Sequence, residues 1–475
     1  MADDLGRRAT RHAVVIGGSL AGLLAARVLA EHAEKVTVVE RDRFPEGPEA
    51  RPGVPQGRHL HVLIVGGQVA LDELLPGFMD ELRDLGAPKV GVPEDMVQWQ
   101  NGKWYRRTSA TAHFYSGARP QLEWLVRQRV FADPRIELVD GHETVGLIGD
   151  SSRVRGVRLR ERGAGAGSAT ASGSGSGREK ETRVLEADLV VDASGRSTKA
   201  ADWLAAIGAE APHEETIDTG LAYGTRVYRA PAGVLDSDAM GYFIVPNPEQ
   251  EYGGVVLPVG DGTHLVTLSG LRGNEPPTEE GAFEEYAKRL PHPVISDWLA
   301  EAEPVSPVYG FRKTANIRRR YDRPGRRPAG FLATGDALCA FNPIYGQGMA
   351  VAAISAVALR RALADPKRTA TTRQVQRALL DASKQAWDIS TGADKKMPGA
   401  LGEASAPGPL DKAVNWYMTR VQERAAGDPV VGVPFRRAIT LTAPMTALFA
   451  PAVARAVLFG PPAETPAGPP LRRDA

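Results

Sequence analysis

The stretch HAVVIGGSLAGLLAARVLAEHAEKVTVVERD, His12 to Asp42, decides the fold. Residues 13–17 are an apolar, largely β-branched run ending at a glycine, which predicts a buried strand. From 19 to 33, Leu20, Leu24 and Val28 recur at helical spacing with Ala21, Ala25 and Leu29 beside them. Val36 to Val39 supply a second buried strand. Two strands joined through a helix by short connections predict parallel pairing and a right-handed crossover. The turn into the helix carries Gly17, Gly18, Ser19 and Gly22, so the G-x-G-x-x-G spacing is met except for Ser19 at the middle glycine. Serine is small, and its hydroxyl and N–H sit at a helix N-terminus, where anions bind favourably. Glu40 ends the second strand, where a carboxylate accepts hydrogen bonds from ribose hydroxyls. An acid there disfavours a 2′-phosphate, so the motif points to FAD or NAD rather than NADP.

Bulk composition narrows the class. Lys plus Arg number 58 against 57 Asp plus Glu, and a net charge of +1 gives no reason to expect nucleic acid. One cysteine, Cys339, excludes an intrachain disulfide framework and a Cys-based zinc cluster, and fits a reducing compartment. The start, MADDLGRRATRH, has no apolar signal region, so a cytoplasmic location is expected. The apolar tract 438–460 is broken by Pro444, Pro451 and Arg455. It reads as two short packed helices rather than a membrane span, and reversible membrane contact stays open for an enzyme with an apolar substrate. His59 and His61 form an H-x-H without further ligands in reach of the reading, so no metal site is expected.

A discontinuous architecture follows along the chain. The expected FAD-binding parts are 10–75, 101–210 and 314–365. Segment 76–100 contributes to a substrate domain, 211–313 forms its antiparallel sheet, and 366–475 is a helical C-terminal region. Residues 153–162 and 180–192 read as strands around GAGAGSATASGSGSG, a tract that cannot bury a core and reads as a mobile hairpin insertion. The run RKTANIRRRYDRPGRR, Arg312 to Arg327, reads as a solvated loop, with a docking surface for a carrier protein or reductase as the alternative.

Three further stretches carry chemistry. In ATGDALCAFNPIYGQGMAVAAISAVALRRAL (333–363), a strand ends at Gly335-Asp336 and a helix begins near Gln347. Asp336 suits a polyol. Pro343, Gly346 and Gly348 hold a loop whose N–H groups, with the helix dipole, suit the negative edge of a reduced flavin. Alone, the stretch reads equally as a capped strand-turn-helix; beside the first motif it favours flavin over nicotinamide. ADLVVDASGRSTKAADWL (187–204) puts Asp192 at a strand's carboxyl end, the ligand edge of an open α/β sheet, or else forms a Ser-capped turn. ARPQLEWLVRQRV (118–130) places Arg119 ahead of a helix, to meet a cofactor phosphate or only solvent. Tyr223, Tyr228, Tyr242, Phe243 and Val255 are substrate-lining candidates on the inserted sheet, each equally readable as core.

The order GGSLAG, ERD, Arg119, DASGRS and GDA-x5-P-x2-G-x-G resembles the FAD-dependent monooxygenases related to p-hydroxybenzoate hydroxylase, to about residue 365. FPEGPEARPGVPQGRHLHVLIVGG (44–67), DASGRSTK and FNPIYGQGMA are similar to actinobacterial flavin epoxidases of polyether antibiotic biosynthesis. The resemblance implies a Rossmann-like α/β FAD-binding domain, an inserted antiparallel sheet and a helical C-terminal region. It implies epoxidation of alkenes on a hydrophobic polyketide, free or bound to a carrier protein, by a C4a-hydroperoxide formed from reduced FAD and O2. Gly17, Gly18, Ser19, Gly22, Glu40, Arg41, Arg119, Asp192, Gly335 and Asp336 would serve FAD. Pro343, Gly346, Gln347, Gly348 and Met349, with Arg58, would lie beside the ring. Phenol hydroxylases of the wider family carry adjacent Asp-Gly where this chain has D-A-S-G. The reductant is therefore NAD(P)H directly or reduced flavin from a partner reductase. A halogenase would need a relay lysine and a W-x-W-x-I-P signature, which is absent; Lys89 is the only lysine between Arg51 and Gln100. A geranylgeranyl-reductase-like ene reductase, an FAD-dependent hydroxylase or halogenase-like enzyme, and a non-catalytic flavin or polyketide binder remain the alternatives.

Overall fold

The computed structural model describes residues 5, 10–117, 119–162, 182–365, 367, 369–402 and 409–473. The opening stretch forms the strand His12–Ile16, the helix Leu20–Leu29 and the strand Lys35–Val39. The two strands lie in a five-stranded sheet ordered Phe331–Ala333, Leu189–Asp192, His12–Ile16, Lys35–Val39, Ile136–Val139. Every pairing in it is parallel, with Val14 opposite Val190 on one side and Thr37 on the other. Such strands are covered on both faces, which is why they read as unbroken Val/Ile/Leu runs. The helices Leu20–Leu29, Arg119–Phe131 and Thr372–Asp394 supply part of that cover. In-register parallel strands end together. Gly17, Glu40, Asp192 and the Gly335-Asp336 turn therefore emerge at one edge.

The chain between 182 and 192 differs from the expected single strand. Thr182–Glu186 pairs antiparallel with Val154–Glu161, and only Leu189–Asp192 joins the parallel sheet. Ala187 N–H bonds Arg155 O and Asp188 N–H bonds His12 O, so the chain changes sheets in those two residues. The Gly/Ser/Ala tract between them lies outside the described residues.

The second large sheet has eight strands. Glu303–Pro304, Ala222–Arg229, Thr263–Gly270, Tyr252–Gly260, Gly241–Ile244, Met96–Gln100 and Lys103–Trp104 follow in order, and Tyr309–Phe311 pairs with Ala222–Arg229. All pairs are antiparallel except Gly241–Ile244 with Met96–Gln100. One face packs on the helices Ala282–Ala287 and Val294–Ala300 through Tyr228, Tyr242, Val256, Val266, Leu268, Phe283 and Trp298. The opposite face carries Phe243 and Val255, which cluster with Leu60, Val62, Val92 and Phe114.

The basic run is not the expected loop: Asn316–Arg320 is a strand between His213–Asp218 and Cys339–Ala340, and several of its arginines meet acids. Arg318, Arg320 and Arg323 all pair with Glu215, Arg319 pairs with Glu214, and Arg326 with Glu210. The apolar C-terminal tract falls into Pro429–Ile439, a short turn Met445–Phe449 and Pro451–Phe459. Among the described residues no helix is long and apolar enough to cross a membrane.

Candidate functional site

At the parallel sheet's edge the first turn is held by close backbone contact. Gly17 has φ +102°, and a Cβ on Gly22 would stand 1.8 Å from Gly17 O. Gly18 N–H donates to Glu40 Oε2 at 2.8 Å, and Asp42 N–H donates to Oε1 at 3.0 Å. Glu40 is thus fixed beside the glycine turn by its own backbone surroundings. Ser19 Oγ donates to Glu123 Oε2 at 2.9 Å and accepts from Arg119 Nη2 at 3.1 Å.

Arg51 sits at the centre, its side chain 4% exposed. It pairs with Glu123 at 2.5 Å, Glu40 at 3.2 Å and Asp42 at 3.7 Å. Burial works against its charge, and Glu123 and Glu40 outweigh that, raising its pKa. The guanidinium groups of Arg51 and Arg127 both lie over the Phe44 ring, 4.9 and 4.7 Å from its centre. A cavity here is lined by Arg51, Gly57, Arg119, Glu123, Trp124 and Arg127, among others. Arg51, Glu123, Asp42 and Phe44 were not among the expected site residues. The i,i+4 spacing of Arg119 and Glu123 on one helix face was the available signal for Glu123; Arg51 gains its partners only through tertiary contact.

From this network a path leads to the second sheet. Arg119 Nη1 lies 3.2 Å from His61 Nε2, and His61 Nδ1 lies 2.9 Å from His59 O. A guanidinium only donates and a carbonyl only accepts, so His61 is neutral with its proton on Nδ1. Burial, then Arg119, lowers its pKa to about 3. His59 is buried and lowered to about 4 by desolvation and Arg58. Its ring bonds Thr225 Oγ1 at 2.9 Å and meets Tyr223 and Phe311 edge-on at 4.9 and 5.5 Å.

The loop before the helix Gly348–Ala364 lies alongside. Pro343–Tyr345 forms a single turn capped by Asn342, whose side chain accepts from Ile344 N–H. Gly346 follows at φ +64°, and a Cβ there would come within 2.6 Å of Val62 Cγ2. Gln347 is buried, donates to Ile439 O at 3.3 Å and leaves Oε1 without a hydrogen bond, while Gly348 is exposed and Met349 buried.

Other expected residues fall differently. Arg41 is exposed and donates to Gly53 O, and Arg58 is exposed over the Tyr309 ring. Asp192 is fully buried inside its own turn, accepting from Ser194 N–H, Ser194 Oγ and Thr198 Oγ1. Asp336 is half-buried in the turn after Ala333, and its Gly335 neighbour presses on Ala21 of the first helix. Of the lining candidates, Tyr223, Phe243 and Val255 share the face toward residues 59–62. Tyr228 and Tyr242 lie on the other face, in the core against the helices, and Tyr228 donates to Glu284. Strand alternation requires this split: Tyr242 adjoins Phe243, and Tyr228 is an odd number of residues from Tyr223.

The residues 10–392 match the family model described as FAD binding domain. The chain belongs to that family. Protein Rv3254 of Mycobacterium tuberculosis is 36% identical over 357 residues, covering 74% of this chain and 73% of the relative. The fold is that of p-nitrophenol 4-monooxygenase PnpA from Pseudomonas putida, with TM-score 0.59, 19% identity, and 91% and 96% of the two chains covered. The flavin-dependent halogenase CmlS gives TM-score 0.62 at 18% identity, over 88% of this chain and 72% of that one.

The observed residues fit FAD. Arg51 Nε and Arg119 Nε are buried without hydrogen-bond partners, two donors available to a diphosphate. A Cβ on Gly348 would meet only open space at the start of a 17-residue helix. Among the described residues no group of three metal-ligating side chains is assembled. Burial pushes the Cys339 thiol up to about 12, so it offers no nucleophile.

Proposed function

We propose that the protein is an FAD-dependent monooxygenase that epoxidises an alkene of a hydrophobic polyketide or related natural product. The observation that carries this reading is the contact between the loop 343–348 and an apolar sheet face. Gly346 packs on Val62, and Val62 clusters with Leu60, Phe114, Phe243 and Val255. An electron-rich alkene needs a dry apolar bed and no acid-base pair, and this face supplies that bed.

In this reading Glu40 holds the ribose, and Arg51 and Arg119 hold the diphosphate. His61 keeps Arg119 in place by accepting its hydrogen bond. The N–H groups of residues 344–346 are bonded within the loop, so the start of the helix Gly348–Ala364, through its dipole, is what would favour negative charge on the ring. FAD, when bound, supplies the two-electron chemistry that activates O2. One oxygen atom goes to the alkene and the other leaves as water, with two electrons from NAD(P)H or from reduced flavin of a partner reductase. Tyr223, Phe243 and Val255 exclude water and hold the alkene, free or on a carrier protein.

Rapid mixing of the reduced holoprotein with O2 tests the reading. The expected result is an absorbing species distinct from both reduced and oxidised flavin, whose decay an apolar alkene accelerates. One-step reoxidation, indifferent to alkenes and without oxygenated product, contradicts it.

A further inference from the structure

Behind the loop 343–348 lies a buried carboxylate joined by no ion pair among the described residues. Asp394, the last residue of the helix Thr372–Asp394, is 2% exposed. Tyr345 Oη donates to its Oδ1 at 2.6 Å, and Asn342 Nδ2 and Asn316 Nδ2 donate to Oδ2 at 3.0 and 2.6 Å. Neither amide can be turned round. Asn316 Oδ1 accepts from Asn342 N–H at 2.8 Å and Ser390 Oγ at 2.5 Å. Asn342 Oδ1 accepts from Ile344 N–H at 3.2 Å. Each amide oxygen is therefore claimed by a backbone donor, and each amide nitrogen must face Asp394.

Local preference does not account for an acid at this position. The end of a helix disfavours an anion through the macrodipole. Burial, with Asp218 adding to it, pushes the carboxyl pKa up. What holds the carboxylate there is its three donors, and two of them belong to the loop: Asn342 caps its turn, and Tyr345 immediately precedes Gly346.

We propose that Asp394 is the positioning residue of this loop, fixing through Tyr345 and Asn342 the backbone that meets the ring end of bound FAD. The proposal rests on the flavin reading above and adds a residue outside the cofactor's contact shell. Its consequence is selective. The dinucleotide turn at Gly17–Gly22 is independent of Asp394, whereas the ring end depends on it.

The test titrates the full chain and the variants Asp394→Asn and Tyr345→Phe with FAD and, separately, with ADP as a probe of the dinucleotide turn alone. Asp394→Asn keeps the shape but removes the charge: its oxygen can still accept from Asn316 and Asn342, while its NH2 then meets Tyr345 Oη, which must turn from donor to acceptor. It is expected to weaken FAD about tenfold or more while leaving ADP affinity unchanged. Tyr345→Phe is expected to weaken FAD several-fold. Both variants should alter the visible circular dichroism of bound FAD, and loss of the buried anion should move its midpoint potential upward. Equal losses for FAD and ADP, or unchanged FAD affinity and spectrum, overturn the proposal. If Asp394→Asn does not fold, Tyr345→Phe decides alone, because it leaves the carboxylate its two amides. A wild-type chain that binds ADP but no FAD breaks the flavin reading, and the proposal with it. Variants that behave as wild type beside an FAD-binding parent break the proposal alone.

Discussion

The edge of the parallel sheet and the facing surface of the eight-stranded sheet meet at residues 57–63, and they are built from opposite materials. The first holds Glu40, Asp42 and Glu123 against Arg51, with Arg119 alongside, all out of solvent or nearly so. The second is largely apolar around Phe243, Val255 and Leu257, with Thr225, Thr267, Ser269, Gln98 and the His59 ring among its polar members. The polar edge is specified by pairing, so removing one partner strands a buried charge. The apolar face is specified by shape, so truncation there leaves a gap and little else. That difference separates where the cofactor is held from where a substrate is accommodated, and it orders the expected effects of perturbation.

Gly22→Ala should do the most damage, since its methyl would sit 1.8 Å from Gly17 O. FAD uptake, followed by quenching of flavin fluorescence, should be lost or weakened more than about a hundredfold, with stability down by about 1–3 kcal/mol. Arg51→Ala should follow. Leaving Glu40 and Glu123 without their buried cation should cost about 3–5 kcal/mol in urea unfolding, and Arg51→Met, which fills the space but removes the same cation, should cost nearly as much. Recovery of most of that loss by Met would erase the contrast between a charged edge and an apolar face.

The histidines link the two regions and give a pH dependence of definite sign. The unfolded chain protonates them near pH 6.5, whereas folded His59 resists to about 4 and folded His61 to about 3. Across that window the unfolded state binds more protons, so stability falls as pH drops from about 6.5 towards 3. His61→Gln should flatten the fall in urea midpoint; a variant as acid-sensitive as the parent would show that His61 is not its source.

On the sheet the two faces should separate cleanly. Phe243→Ala should raise KM for an apolar alkene about tenfold, about 1.4 kcal/mol, with modest loss of stability. Tyr228→Phe should lower stability by about 1 kcal/mol through the lost Glu284 contact and leave KM alone. The reverse pattern would put the substrate on the helix side. Arg326→Gln, in an exposed pair with Glu210, should change nothing measurable.

The parallel unit was legible because a local pattern dictates it. Residues 12–42 contain their strand, turn, helix and terminal acid in one run, and parallel register then brings Asp192 and Asp336 to the same edge. The sheet face was not legible. Both sides of these strands are buried, so Tyr242 and Phe243 look alike in sequence while facing opposite ways. Arg51 was invisible for another reason: its partners come from two segments remote from it and from each other, at 40–42 and at 123. Asp394 was hidden by its place, since an acid ending a long amphipathic helix reads as solvated until the fold covers it.

The most direct measurement of the central claim is turnover of the FAD-loaded protein with an apolar polyene, a reductant and 18O2, followed by mass spectrometry of the product. The account predicts one 18O atom gained per alkene oxidised, the other recovered in water. Product that carries no label, or that has gained two hydrogens instead, would contradict it.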